Sequence, residues 1–260
     1  MQAIYDREVL IFAPSLGRAD SCTTHKVLQS VKYVVAKREA EEYAKHVGIE
    51  HVEVVSDEIQ KKPSGKCRTL NFILDNFKTA DNVILFTDDD IQTVSKVDFE
   101  NNEETVITEE EIVICIQKLA FIAKQIGAKI GGFACLSSAD SMMMGISARY
   151  KLFQKKYIDG KAFIVYEDDG TRFDEELFLK EDIDFNCKSL IKNKRTLSAP
   201  FICFSGKALT NKGGVVDVRT SEEELRQGAI MLERYSGMLR TRTSLVGQGV
   251  RKKAIQFGLR

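Results

Sequence analysis

Val83-Ile84-Leu85-Phe86-Thr87-Asp88-Asp89-Asp90 carries an apolar, β-prone stretch straight into three consecutive carboxylates. A short continuous apolar run reads as a buried strand. Unpaired charge is too costly to follow it into a core, so the acids belong at the strand's carboxyl end. That is where an α/β sheet opens into its ligand crevice. Packed like charges repel unless something positive sits among them, and carboxylate oxygens hold hard divalent cations such as Mg²⁺ and Mn²⁺. A metal that also grips a diphosphate fits this pattern. A solvated acidic turn fits it equally well on spacing alone, since Asp is common in such turns.

Outward from this stretch, strand and helix signals alternate. Glu8 to Ala13, Lys32 to Ala36 and Glu50 to Val55 read as strands, and Lys37 to His46 as a helix ending before Gly48. After the turn at Pro63-Ser64-Gly65, residues Cys67 to Phe77 space Leu70, Ile73, Leu74 and Phe77 as one face of a helix. Residues 98–111 are acid-rich and read as a surface excursion. Thr108 and Glu111 then form a capping box that opens a long helix. Its core stripe is Ile112, Ile116, Leu119, Ile122, Ala123 and Ile126, and Gly127 ends it. Lys129 to Leu136 is strand-like, and Arg149 to Tyr166 reads as a β-hairpin turning at Asp159-Gly160. The expected class is α/β, with a mostly parallel central sheet and helices on both faces. One domain over residues 1–218 is expected, with a helical, basic appendage over 219–260 packed on it.

Composition narrows the function classes. A chain of 260 residues can bury a substantial core, and 43% hydrophobic with 29% charged residues is ordinary for a globular enzyme. Formal net charge is zero, so a polyanion partner would have to be met by a local patch. No apolar run approaches the ~18 residues needed to span a bilayer, and the polar start lacks a signal-peptide pattern. Cys22, Cys67, Cys115, Cys135, Cys187 and Cys203 form no C-x-x-C pair and read as reduced, small core residues. A cytoplasmic location without membrane contact is expected.

A second acidic cluster lies within Phe173 to Phe185, where Asp182, Phe185 and Leu190 can share one side of a helix. Acids favour helix N-termini through the macrodipole, which alone would explain it. If the fold returns Asp182 beside Asp88 to Asp90, it becomes a candidate general base. Ser64-Gly65-Lys66 offers backbone N–H groups and a cation to an anion, though a turn with a solvated lysine is the plainer reading. Asn211-Lys212-Gly213-Gly214 and Gly17-Arg18 are loops of the same double meaning. The histidines at 25, 46 and 51 show no metal-ligand spacing.

Taken in order, Pro14-Ser15-Leu16-Gly17-Arg18, Gly65-Lys66 with Leu70-Asn71, Asp88-Asp89-Asp90 and Glu181-Asp182 resemble a nucleotide-sugar glycosyltransferase of the GT-A type, over roughly residues 8–215. The resemblance implies a Rossmann-like GT-A fold. It also implies a divalent metal, Mn²⁺ or Mg²⁺, held by Asp88 and Asp90, and an acceptor-side catalytic pair, Glu181 and Asp182. Donor contacts would come from Ser15, Gly17, Arg18, Gly65, Lys66, Asn71, Asp89, Lys212, Gly213 and Gly214. Within that superfamily the chain is similar to the phage and bacterial glycosyltransferases associated with TET/JBP-type oxygenases. That likeness rests on Ser15-x-Gly17-Arg18 with Thr23-Thr24-x-Lys26, the acid triplet, Glu181-Asp182-x-Asp184 and Asn211-Lys212-Gly213-Gly214. It implies transfer of a sugar from a UDP-sugar to hydroxymethylated pyrimidines in DNA, in the host cytoplasm if phage-encoded. The absence of Trp departs from processive polysaccharide synthases.

The tail bears on the acceptor. Leu239 to Arg260 contains Arg240, Arg242, Arg251, Lys252 and Lys253 and no acid, which suits a phosphate backbone or a merely solvated tail. Other readings remain: a nucleotidyltransferase, a glycosyltransferase acting on a protein or small-molecule acceptor, or a non-catalytic binding module. The stereochemical course is open.

Overall fold

The computed structural model describes residues 7–98, 101, 103–134, 158, 160–206, 218–246 and 252–259. In chain order the elements are β1 (Glu8–Pro14), β2 (Lys32–Ala36), α1 (Ala40–Val47), β3 (Val52–Val55), α2 (Gly65–Phe77), β4 (Asn82–Thr87), β5 (Ile91–Asp98), β6 (Glu103–Val106), α3 (Glu109–Ile126), β7 (Ile130–Ala134), β8 (Ala162–Val165), α4 (Glu181–Asn193), β9 (Leu197–Gly206), α5 (Ser221–Arg234), β10 (Leu239–Val246) and β11 (Lys252–Leu259). Nine strands form one sheet in the order β3-β2-β1-β4-β8-β7-β9-β5-β6. β3, β2, β1 and β4 are mutually parallel, and so are β7 and β9, while β8 and β5 run against their neighbours. The fold is therefore mixed α/β with a large, mostly parallel central sheet. β10 and β11 pair separately as an antiparallel ribbon.

Strand alternation explains how both faces are covered. Ile11, Ala13, Val83 and Leu85 point one way and pack with Tyr43 and Val47 of α1 and Ile112, Ile116, Leu119 and Ala123 of α3. Phe12, Ile84 and Phe86 point the other way, onto Leu70, Ile73 and Leu74 of α2 and Phe185 of α4. Every residue of β4 is buried, which is why Val83 to Phe86 run apolar without a break between the polar ends Asn82 and Thr87. α3 begins with the expected capping box at Thr108 and Glu111 and ends at Gly127, whose φ of 75° suits the left-handed C-cap. Its stripe is as expected, with Ile122 and Ile126 partly buried at the margin.

Two expectations need correction. Residues Ile49–His51 form a 3₁₀ turn, so β3 starts at Val52, opposite Tyr33 of β2. The hairpin over Arg149 to Tyr166 fails in its described arm. β8 has both edges occupied, by β4 and by β7, so no hairpin partner can pair with it there; residues 149–157 lie outside the described residues. The acid-rich excursion contains an edge strand, β6, exposed at all four positions. Among the described residues no helix is long and apolar enough to cross a membrane. Cys22, Cys67, Cys187 and Cys203 are buried thiols outside any disulfide, and Cys115 is a half-buried one. Burial pushes the Cys22 thiol up to about 12, making it a poor nucleophile.

Candidate active site

The acid triplet does not behave as one unit. Only Asp88 is left partly exposed where β4 ends; Asp89 and Asp90 are 3% and 7% exposed. Asp89 turns inward, where the Ser15 hydroxyl donates to its Oδ2 and Arg18 Nε lies 3.2 Å away. The same Ser15 hydroxyl lies 2.7 Å from the Tyr43 hydroxyl. Burial raises the Asp89 carboxyl to about 6, partly offset by Arg18 and Ser15. The backbone of the turn is stitched to the loop after β1. Thr23 N donates to Asp89 O at 3.0 Å, Thr24 Oγ1 donates to Asp88 O at 2.8 Å, and Ile91 N donates to Thr24 Oγ1 at 3.0 Å. Asp90 lies against Gly206 of β9, where an added Cβ would stand 3.1 Å from Asp90 Oδ1 and 2.7 Å from its carbonyl oxygen.

Asp88 opens onto a cleft lined by polar groups of Lys66, Asp88, Glu181 and Asp182 and by apolar walls from Leu70, Phe86, Phe163 and Phe173. The four elements responsible are α2, β4, β8 and α4. Lys66, in the first turn of α2, places its Nζ 2.7 Å from Glu181 Oε1 at the start of α4. Burial disfavours its charge, but Glu181, Asp88 and Asp182 outweigh that, so the ammonium holds its proton more tightly than an ordinary lysine. The antiparallel entry of β8 delivers the Gly160-Lys161 turn to the carboxyl end of β4. There Asp88 N donates to Lys161 O at 3.3 Å. A Cβ on Gly160 would stand 3.3 Å from Asp182 Oδ2, so this turn packs against Asp182 on its other side. One cation and three carboxylates, two of them flanking a glycine turn, thus share one cleft with aromatic walls. Such a cleft can hold a polar ligand against the rings and place a carboxylate beside it.

The profile of the TET-Associated Glycosyltransferase family matches residues 9–214, which takes in every residue lining this cleft. The chain belongs to that family. It is a glycosyltransferase, which sets aside the nucleotidyltransferase reading. No curated protein matches it. Among solved structures, a mycobacterial protein is similar at 12% identity, with 98% of this chain and 84% of that one covered and a TM-score of 0.48. S. aureus TarS, solved in complex with UDP, is similar at 12% identity over 88% of this chain and 72% of that one, with a TM-score of 0.43. M. tuberculosis glucosyl-3-phosphoglycerate synthase is similar at 12% identity over 91% and 85%, with a TM-score of 0.42.

The fold of this glycosyltransferase brings together Lys66, Asp88, Glu181 and Asp182, and among the described residues no other expected site residue lines the cleft. Ser15, Arg18 and Asp89 are bound to one another. Asn71 pairs reciprocally with the Phe173 backbone, at 2.9 Å and 2.8 Å, and so spends its amide tying α2 to the segment leading into α4. Gly65 allows close approach to Gln60, whose carbonyl oxygen would stand 2.6 Å from an added Cβ. Gly17 adopts φ 69° and donates its N–H to Glu39 Oε2 at 2.8 Å. Lys212, Gly213, Gly214 and Arg251 lie outside the described residues. Arg240, Arg242 and Lys252 fall at ladder positions of one parity in the β10–β11 ribbon, and Lys253 at the other. The aromatic walls and Gly160 are additions that the sequence does not announce. Phe163 and Phe173 resemble core residues in sequence, and Gly160 resembles an ordinary turn glycine.

Among the described residues no group of three His, Cys, Asp or Glu side chains is placed to hold a metal ion by itself. Asp88 lies partly exposed on the cleft, whereas Asp90 is 7% exposed and is not among the residues that line it.

Proposed function

We propose that this glycosyltransferase moves a sugar from a UDP-sugar to the hydroxyl of a hydroxymethylated pyrimidine in DNA. The observation that carries the reading is the shared cleft of Lys66, Asp88, Glu181 and Asp182; the family's association with TET oxygenases supports the acceptor. Asp88 and Asp90 would hold the divalent cation, which when bound supplies charge neutralisation to the diphosphate. Lys66, held between Glu181 and Asp88, is the cation poised to meet the donor's phosphates and stabilise the departing charge. Asp182, against the Gly160 turn and at the N-terminus of α4 where negative charge is favoured, takes the proton of the attacking hydroxyl in an inverting reaction. Ser15, Arg18 and Asp89 act by fixing the loop and turn rather than by touching donor.

The test uses Asp88→Asn and Asp182→Asn with Mn²⁺, a panel of UDP-sugars and hydroxymethylated DNA. Asp88→Asn is expected to weaken donor binding in calorimetric titration. Asp182→Asn should keep donor affinity while lowering turnover by about 10²–10⁴-fold, the range of general-base loss. Unchanged donor affinity in the first, or equal loss of affinity and rate in the second, would remove the corresponding role. Equal activity on free hydroxymethyl nucleosides would remove DNA as the acceptor.

A further inference from the structure

Lys180, immediately before the Glu181–Asp182 pair, and Asp184, two residues after it, are buried charges, and both are held by a helix none of whose residues lines the cleft. Lys180, 8% exposed, directs its ammonium to Glu224 of α5, which is 4% exposed. Arg219 Nε lies 3.4 Å from the other Glu224 oxygen. One residue earlier, Leu179 N donates to Oε1 of the fully buried Gln227 at 2.8 Å. On the far side of the pair, Asp184 is fully buried. It accepts from Arg234 Nη1 at 2.9 Å and from the Tyr235 hydroxyl at 2.6 Å, with Lys188 Nζ 2.6 Å from its second oxygen. Arg234 also reaches Asp174 Oδ2 at 2.6 Å.

Glu224, Gln227, Met231 and Tyr235 recur at helical spacing, so they form one face of α5 and its end. A helix face buried on a neighbour is ordinarily apolar. Here only Met231 follows that rule, packing with Tyr235, Leu177 and Cys187. Buried ion pairs are a poor source of stability, since apolar residues of similar volume serve as well or better. What they add is direction: a charge-assisted hydrogen bond fixes distance and angle where apolar packing tolerates sliding.

We propose that α5 is a positioning device for the acceptor-side carboxylates, setting the first turn of α4 through Lys180 and Asp184 so that Asp182 faces the cleft at a fixed angle. This rests on the reading of Asp182 as the acceptor-side base. Lys180, Asp184, Glu224, Arg234 and Tyr235 are positioning residues and touch no substrate. The paired variant Lys180→Met with Glu224→Leu replaces the buried pair by apolar volume; Arg219, about one-third exposed overall, loses its Glu224 contact. Tyr235→Phe removes only the hydroxyl on Asp184. Both are expected to melt within a few degrees of the wild type and to bind the UDP-sugar with affinity changed less than about twofold. Turnover of the paired variant should fall about tenfold or more, since small misplacements of catalytic groups cost that much. Tyr235→Phe should fall less, in the same direction. Wild-type turnover in a folded paired variant, or a loss matching its unfolded fraction, overturns the inference. Wild-type turnover of Asp182→Asn, measured alongside, overturns instead the reading on which it rests.

Discussion

Asp89 shows how one residue departs from what its neighbours suggest. Three acids in a row look equivalent, yet the period of the strand and the turn after it send the middle one inward. Its folded-state pKa, about 6, lies above the ordinary 3.8, so between these values the native protein binds more protons than the unfolded chain. Stability contributed by this site is therefore present near pH 4 and declines as pH rises towards 6, by on the order of 2–3 kcal/mol. Asp89→Asn should flatten that decline while lowering stability overall, because Arg18 loses its partner. Urea denaturation of both proteins across pH 4–7 reads the difference. An identical pH slope in the two would mean Asp89 is not the titrating group. The sequence makes the acids' location at a strand end legible, since charge cannot enter a core unpaired. It hides which of the acids are buried, because the loop that brings Ser15 and Arg18 to Asp89 is remote in sequence, Ser15 by 74 residues, and only the folded sheet brings it near.

At the scale of elements, the first half of the chain is readable because each strand and helix is locally consistent: β1, β2, β4, α2 and α3 have the expected extents to within a few residues. β8 is not, because its identity depends on neighbours. Residues Ala162–Val165 read as half of a local hairpin, whereas the sheet inserts them between β4 and β7. β5 and β9 give no clear local signal for a similar reason, since they pair with each other across a long stretch of intervening chain. The Gly131-Gly132 pair of β7 has a packing reason that sequence does not disclose. A Cβ on Gly131 would overlap the Leu197 carbonyl of β9 and the Tyr166 ring. Gly131→Ala should therefore cost about 1–3 kcal/mol or more, the range of overpacked cores, even though alanine suits an ordinary strand better than glycine. Thermal unfolding of the variant checks it, and an unchanged midpoint would show that β7 and β9 can move apart freely.

For the whole molecule, a net charge of zero leaves any attraction to DNA to local patches, and the basic positions of the β10–β11 region are the sequence's candidate. If Arg240, Arg242, Arg251, Lys252 and Lys253 grip phosphates, joint replacement by glutamine should weaken binding to duplex. It should also reduce the slope of log affinity against log salt by about 0.9 for each phosphate no longer neutralised. Donor hydrolysis without acceptor should persist. An unchanged slope would move the acceptor surface elsewhere. The cleft itself draws on α2, β4, β8 and α4, all made before residue 194, but α5 follows only after β9 has been added. Synthesis on the ribosome therefore runs in an order with a built-in delay. The nascent chain acquires the cleft's lysine and carboxylates first and α5 afterwards, at about 5–20 residues per second. During that interval the cleft's lysine and carboxylates are present without the buried ion pairs that α5 makes with Lys180 and Asp184.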